Sequence, residues 1–227
     1  MEADGNITAA ASASVILLVH KPYQVQKVLG NQAMGEALHG KKIISILAGV
    51  TAGQLRSVLR SSSTTADTNL DLIRALPNIG ASICESMTLI SDPHDASPEL
   101  IEFATWLFGQ VGRVTQIPEA TYHVGTVLTG ACYAITTVAV DVLINGAVQQ
   151  GLARPVAVQV AAQCFKGLAK MLQDGGHPAS IREAISSPGG AIITGLAELE
   201  RHGVRSAFKD AIIKAISHSK AMGKHQD

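Results

Sequence analysis

The sequence predicts an α/β domain built on a parallel sheet, followed by an all-α domain, and three observations support that prediction. Up to residue 116, short aliphatic runs alternate with stretches of helical spacing, the pattern of strands covered by helices. After Pro118 the composition shifts, and Asp141 is the single charge between Ala120 and Ala153. Beyond that segment the apolar positions keep a helical period, and the breaks between them are turns bearing Gly or Pro. The expected domains are residues 1–116 and 117–227.

In chain order, residues 15–19 form an aliphatic run ended by Pro22, too brief for a free helix and suited to a strand buried on both faces. Val25, Val28, Leu29 and Leu38 fit a covering helix over residues 23–38, and residues 42–47 supply a second strand. A helix over 51–59 and a Ser/Thr-rich loop over 61–69 follow, then strands at 72–76 and 86–90. Ser97 or Pro98 opens a helix through Phe108, and Gly112-Arg113-Val114 is a last short strand. Pro118 suits the first turn of a long helix that is apolar nearly all round, hence either a membrane span or the centre of a helical assembly. The Thr, Asn145 and Gln149 side chains that interrupt it favour burial in an oligomer. Helices over 155–173, 179–185, 191–202 and 206–222 complete the second domain.

Hydrophobic residues make up 47% of the chain and charged ones 16%, against roughly 25% in an average soluble domain, which leaves too little polar surface for a lone monomer. Lys and Arg balance Asp and Glu at 18 each, so no basic field draws nucleic acid or an anionic membrane, and neither partner is expected. Cys84, Cys132 and Cys164 lack metal-ligand spacing and read as reduced, buried thiols of an intracellular protein. The eight histidines are scattered, so no metal site is expected. The first residues are acidic and lack a signal-peptide profile, which predicts a cytosolic protein.

The segment Ser186-Ser187-Pro188-Gly189-Gly190-Ala191 joins two helical patterns with residues that can continue neither. The amides of 189–192 then lie unpaired at a helix N-terminus, where a carboxylate or phosphate is favoured. The same residues also suit a helix-breaking turn with serine caps.

The run from His177-Pro178 through that loop to Gly195-Leu196, Gly203 and Arg205-Ser206 resembles the C-terminal signature of pyrroline-5-carboxylate reductases. Gly151-Leu152 with Arg154, Ala169-Lys170-Met171-Leu172, Val19-His20-Lys21-Pro22, Ala48-Gly49-Val50 and the stretch 74–78 extend the resemblance over nearly the whole chain. It implies an interlocked helical dimer, and hydride transfer from NAD(P)H to a cyclic imine that gives proline. It also implies that Ser187, Gly189, Gly190 and Ala191 hold the substrate carboxylate, with Ile192 in place of a threonine that faces substrate and nicotinamide. Cys132 and Tyr133 fall where the family has Gly-Pro, and would reshape that part of the substrate pocket. Lys21, Pro22 and Asn78 fall on positions bordering the cofactor. Each has a plainer reading: Asn78 caps a turn, Lys21 is solvated, Pro22 ends a strand and Tyr133 belongs to a core. Asp141 is either a buried interhelical acceptor or a base. No catalytic residue is assigned.

A dinucleotide-binding domain opens on a strand, a Gly-x-Gly-x-x-Gly turn and a helix, and this sequence contains no such turn. The expected fold is therefore a truncated Rossmann-like sheet, lacking the Gly-rich first βαβ unit, plus an all-α dimerisation domain. The leading functional expectation is a homodimer that binds or cyclises an imine- or amino-acid-like carboxylate without hydride transfer and without a cofactor. The alternatives are an active reductase using NADP or NAD, and a non-catalytic oligomerisation partner.

Overall fold

The computed structural model describes residues 3–62, 70–92 and 96–224, so most of the expected loop over 61–69 lies outside the described residues. The chain divides into two compact units, Met1–Gly130 with Ala215–Asp227, and Ala131–Lys214.

The first unit is built on a five-stranded sheet in the order β1 (Val15–Leu18), β2 (Lys42–Ser45), β3 (Asp71–Leu76), β4 (Ser86–Asp92) and β5 (Gly112–Pro118). The first three strands are parallel, with Ile16 opposite Ile43 and Ile43 opposite Leu72. β4 runs antiparallel to β3, Ala75 facing Ile90, which departs from the wholly parallel sheet expected. The reason is chain length. Residues 77–85 join the two strands through a 3-10 turn at Ile79–Ile83, whereas a parallel crossover takes a dozen or more residues. Helix α5, Pro98–Gly109, provides that length before β5, and β5 is parallel to β4.

Successive strand residues point to opposite faces, and both faces are covered, so the strands read as unbroken aliphatic runs. Leu18, Ile43 and Leu72 pack on one face against Leu29, Leu38, Leu55 and Leu59. Ile44, Ile73, Ala75 and Ile90 pack on the other against Leu100, Ala104 and Phe108 of α5. Each such Leu, Ile or Phe side chain contributes about 1.5–3 kcal/mol by leaving water.

Helix α1, Ala3–Ser12, was not legible in the sequence pattern; it buries Ala10 in the first of these cores. The helix expected over 23–38 is divided into a 3-10 turn at Pro22–Gln24, α2 at Val25–Leu29 and α3 at Gln32–Ala37. Asn31 causes the restart: its side-chain oxygen accepts from the Met34 amide at 2.8 Å, an N-cap. Helix α4, Ala52–Ser62, opens on a reciprocal box in which the Gln54 amide donates to Thr51 Oγ1 at 3.1 Å and the Thr51 amide to Gln54 Oε1 at 2.9 Å.

The second unit holds the later part of α6 (Glu119–Gln149), α7 (Arg154–Gln173), α8 (Pro178–Ala184), α9 (Ala191–Arg201) and α10 (Val204–Lys224) as far as residue 214. Ala157 is the single described residue of this unit that the chain itself buries. Val138, Val142 and Leu143 of α6 face outward, the first 62% exposed. The expectation of buried thiols is corrected here: Cys132 and Cys164 lie on these uncovered helices, Cys84 ends the 3-10 turn with φ +58°, and all three are exposed. Asp141 is likewise exposed on the single chain, accepting from Asn145 Nδ2 at 3.0 Å, while Asn145 accepts from Arg154 at 2.9 Å.

Candidate functional site

In open α/β sheets, ligands lie beyond the carboxyl ends of parallel strands. Here that edge carries Lys21 and Pro22 after β1, residues 46–51 after β2, and Pro77 and Asn78 after β3. Two clefts flank the β2 loop and share Gln54. One, of about 680 Å3, is bordered by Pro22, Tyr23, Val50 and Gly53. The other, of about 320 Å3, is bordered by Gly49, Thr51, Arg74, Tyr122, His123 and Lys220. Gly49 takes φ +79°, a left-handed turn that lets the backbone pass from β2 into α4 between them.

Arg74 gives the second cleft its electrostatic character. It is a charged side chain placed near the end of a buried strand, and its exposure is 7%. Such a charge requires a partner, and Glu119 at the start of α6 supplies one at 2.6 Å. The guanidinium also stacks over the Tyr122 ring, 4.1 Å from its centre. Tyr122 is buried, and its hydroxyl donates to the Leu89 carbonyl at 3.3 Å. Burial pushes its phenol well above the ordinary value, with Arg74 offsetting part of that rise and Glu119 adding to it, so it is neutral throughout the working pH range.

His123 follows on the next position. Burial, then Lys220, then Arg74 hold its imidazole below the ordinary value, which favours the neutral ring. Its Nε2 is buried without a partner, whereas the Thr126 hydroxyl donates to the His123 carbonyl at 3.0 Å and Thr51 is engaged with Gln54. A buried polar atom left unpaired costs about 1–3 kcal/mol.

In the second unit, the loop before α9 is a tight turn. The Gly190 amide donates to the Ser187 carbonyl at 3.0 Å, with Pro188 second and Gly189 third at φ +68°, the residue order of a type II turn. Gly190 is the N-cap of α9 and has no side chain to cap with, so the amides of the first turn, Ala191 and Ile192 among them, remain open. A Cβ at Gly190 would stand 2.5 Å from Ser187 Oγ, which shows how closely that hydroxyl lies over the turn. Ile192 is 53% exposed on the first turn of α9.

Residues 119–222 match the family described as pyrroline-5-carboxylate reductase dimerisation. A pyrroline-5-carboxylate reductase of Lophium arboricola is 38% identical over 225 residues, covering 96% of this chain and 70% of the relative. The chain belongs to the pyrroline-5-carboxylate reductase family. The enzyme of that name from Schizosaccharomyces pombe is 37% identical over 224 residues, covering 99% of this chain and 77% of its own. The fold agrees with a crystal structure of Plasmodium falciparum pyrroline carboxylate reductase with NADP bound, at TM-score 0.84, 24% identity, 96% of this chain and 80% of that one.

Set within this reductase family, the residues singled out by sequence fall into three groups. Ser187, Gly189, Gly190, Ala191 and Ile192 form one turn and helix start in the second unit. Cys132 and Tyr133 lie on α6, both exposed on the single chain. Lys21 and Pro22 follow β1, where Pro22 borders the larger cleft. The Lys21 amide donates to Gln24 Oε1 at 3.1 Å. Asn78 follows β3, and its side-chain oxygen accepts from the Gly80 amide at 3.0 Å, the turn-capping arrangement that was its plainer reading. Sequence reasoning missed Thr51, His123 and Lys220. The rule that strand ends hold ligands would have found the first, whereas the others come from helices distant in sequence.

Proposed function

We propose that this chain serves the NAD(P)H-dependent reduction of 1-pyrroline-5-carboxylate, or a closely related cyclic imine, to the corresponding amine. The relatives favour this reading over the sequence-based expectation of ligand binding without hydride transfer. The observation that carries it is the crevice at the carboxyl ends of β1, β2 and β3, with two clefts side by side around residues 47–54. That arrangement fits the ribose and nicotinamide end of a dinucleotide, which supplies a hydride when bound. Pro22 borders the larger cleft, Lys21 and Asn78 stand at the ends of the neighbouring strands, and Gly49 and Thr51 line the inner cleft. The pyrophosphate turn Gly-x-Gly-x-x-Gly is not among the 227 residues.

The chain's own groups then have distinct tasks. The open amides of Ala191 and Ile192 and the Ser187 hydroxyl hold the substrate carboxylate, and Ile192, Cys132 and Tyr133 shape the apolar wall around the ring. Arg74, neutralised by Glu119, keeps the inner cleft rigid without offering a competing free charge. Residues 117–227 act as the dimerisation domain of a cytoplasmic homodimer, with a second copy covering the apolar helices of 131–214. That assignment gives α6, which has the length and composition to cross a membrane, a protein rather than a lipid neighbour.

A second reading rests on Ile192, an apolar side chain where the resemblance implies a threonine: carboxylate binding with no hydride transfer. The test is NADPH binding to the purified 227-residue chain by fluorescence titration, followed by NADPH oxidation with pyrroline-5-carboxylate. Micromolar binding with turnover supports the reductase. A folded chain that binds L-proline but neither binds nor oxidises NADPH at millimolar concentration favours the second reading.

A further inference from the structure

Val138, Asp141, Val142 and Asn145 follow one another at helical spacing on one face of α6, and the two valines are 62% and 57% exposed. Asp141, the single charge between Ala120 and Ala153, lies in the middle of that apolar face. It begins a polar row. Asn145 Nδ2 donates to Asp141 Oδ2 at 3.0 Å, and Arg154 Nη2, reaching back from the start of α7, donates to Asn145 Oδ1 at 2.9 Å. Asn145 is thereby a neutral spacer with a carboxylate on one side and a guanidinium on the other. All three side chains are exposed on the single chain, and among the described residues Asp141 is paired with no cation and Arg154 with no carboxylate.

A surface laid over this face takes the row out of water. A carboxylate buried without a compensating charge is strongly destabilising, so the covering surface has to bring a cation to Asp141 and an anion to Arg154. The row itself meets both needs. Turned end for end about a twofold axis through Asn145, its negative end meets its own positive end, the self-complementarity that an interface between two identical copies requires. We infer that the face of α6 around Asn145 packs on the same face of a second copy, with Asp141 paired to the partner's Arg154 and Arg154 to the partner's Asp141. The inference rests on the reading of residues 117–227 as a dimerisation domain and deepens it by naming the pair that sets the register. Sliding one copy along Val138 and Val142 by a helical turn changes the apolar contact little but strands both carboxylates, so the charges select one alignment where the valines alone allow several.

The test is the composition of mixed dimers. Full chains carrying Asp141→Ala or Arg154→Ala, each with its own mass tag, are co-expressed at equal levels, and the dimers are counted by native mass spectrometry. Each homodimer then holds two charges without a partner, whereas the mixed dimer holds one whole pair and one site with neither charge. Pairing confined within a chain is broken alike in all three species. Mixed dimers should therefore exceed about 80% of the total, against about half for random association. Glu102→Ala and Lys27→Ala, in the first unit, change the net charge in the same way, and their mixed dimers should stay near half. A mixed fraction near half for the Asp141 and Arg154 variants, or an equal excess in the control, overturns the inference and leaves the homodimer reading intact. A wild-type chain that sediments as a monomer at micromolar and higher concentrations overturns both. Variants that remain monomeric together while the wild type dimerises also overturn the inference, because the mixed dimer retains one whole pair. Should the alanine chains fail to fold, Asp141→Asn with Arg154→Gln removes the charges but keeps polar side chains, and the same excess of mixed dimers over half is expected.

Discussion

Substituting Glu119 by Gln tests whether the ion pair under the smaller cleft holds the first unit together. Arg74 is 7% exposed and Glu119 44%, and they meet at 2.6 Å. A hydrogen bond to a charged group is worth about 1.5–3 kcal/mol, and the half-exposed carboxylate places this pair near the lower figure, about 1.5 kcal/mol. Glutamine keeps an acceptor but removes the charge, so Glu119→Gln should lose roughly 1–1.5 kcal/mol, about 2–6 °C in Tm. Glu119→Ala leaves the buried guanidinium with only the Tyr122 ring and should lose about 3 kcal/mol. Trp106 is the sole tryptophan and sits on α5, so its fluorescence in urea at fixed chain concentration follows this unit directly. Combining Glu119→Gln with Arg74→Met in a double-mutant cycle isolates the pair. A coupling energy below about 0.3 kcal/mol, with Gln and Ala variants alike, would refute the reasoning.

Four further outcomes are expected. Ser187→Ala should weaken binding of L-proline by roughly 1–2 kcal/mol in calorimetry, and an unchanged affinity removes the hydroxyl from the carboxylate site. Ser97→Ala deletes both the cap on the Leu100 amide and the 2.6 Å bond to Asp71, and should lower the urea midpoint by about 1–2 kcal/mol equivalent; a loss under about 0.5 would show that water replaces both. Gly125→Leu forces a side chain where Ile117 Cδ1 and Leu89 Cδ1 stand 2.7 and 2.8 Å from the first added carbon, and should destabilise α6 against the sheet by about 1–3 kcal/mol, read as a lower Tm. Because His123 is held below its ordinary value of about 6.5, the unfolded chain binds more protons than the folded one just below that pH. Stability should therefore rise with pH through that window, and His123→Gln should flatten the profile; an unaltered profile would place the dependence elsewhere.

Much of the α/β unit was legible because its strands are buried on both faces. Ile43-Ile44 and Leu72-Ile73 place one residue in each core, and no other element yields so short an aliphatic run. The Asn31 cap that divides α2 from α3 had a readable signal, an Asn before a helical stretch, but the apolar spacing across it masked the break. The reversal of β4 also had one, in the few residues between Leu76 and Ser86. The turn at Ser187 was legible because Pro188 and Gly189 occupy the two positions where a type II turn demands them. The inner cleft was not, since Arg74, His123 and Lys220 come from a strand and two helices separated by 49 and 97 positions, and local pattern says nothing about such meetings.

The second unit's lack of a core of its own affects the order of events during synthesis. Residues 1–130 can close over Leu72, Ile73 and Leu100 as soon as they leave the ribosome, because their partners all lie within that stretch. The helices that follow present Val138, Val142 and Leu143 to solvent until another surface reaches them, and transiently bare aliphatic surface is what aggregates. The vulnerable interval in the life of this protein is thus the wait after translation, which ends when that surface arrives.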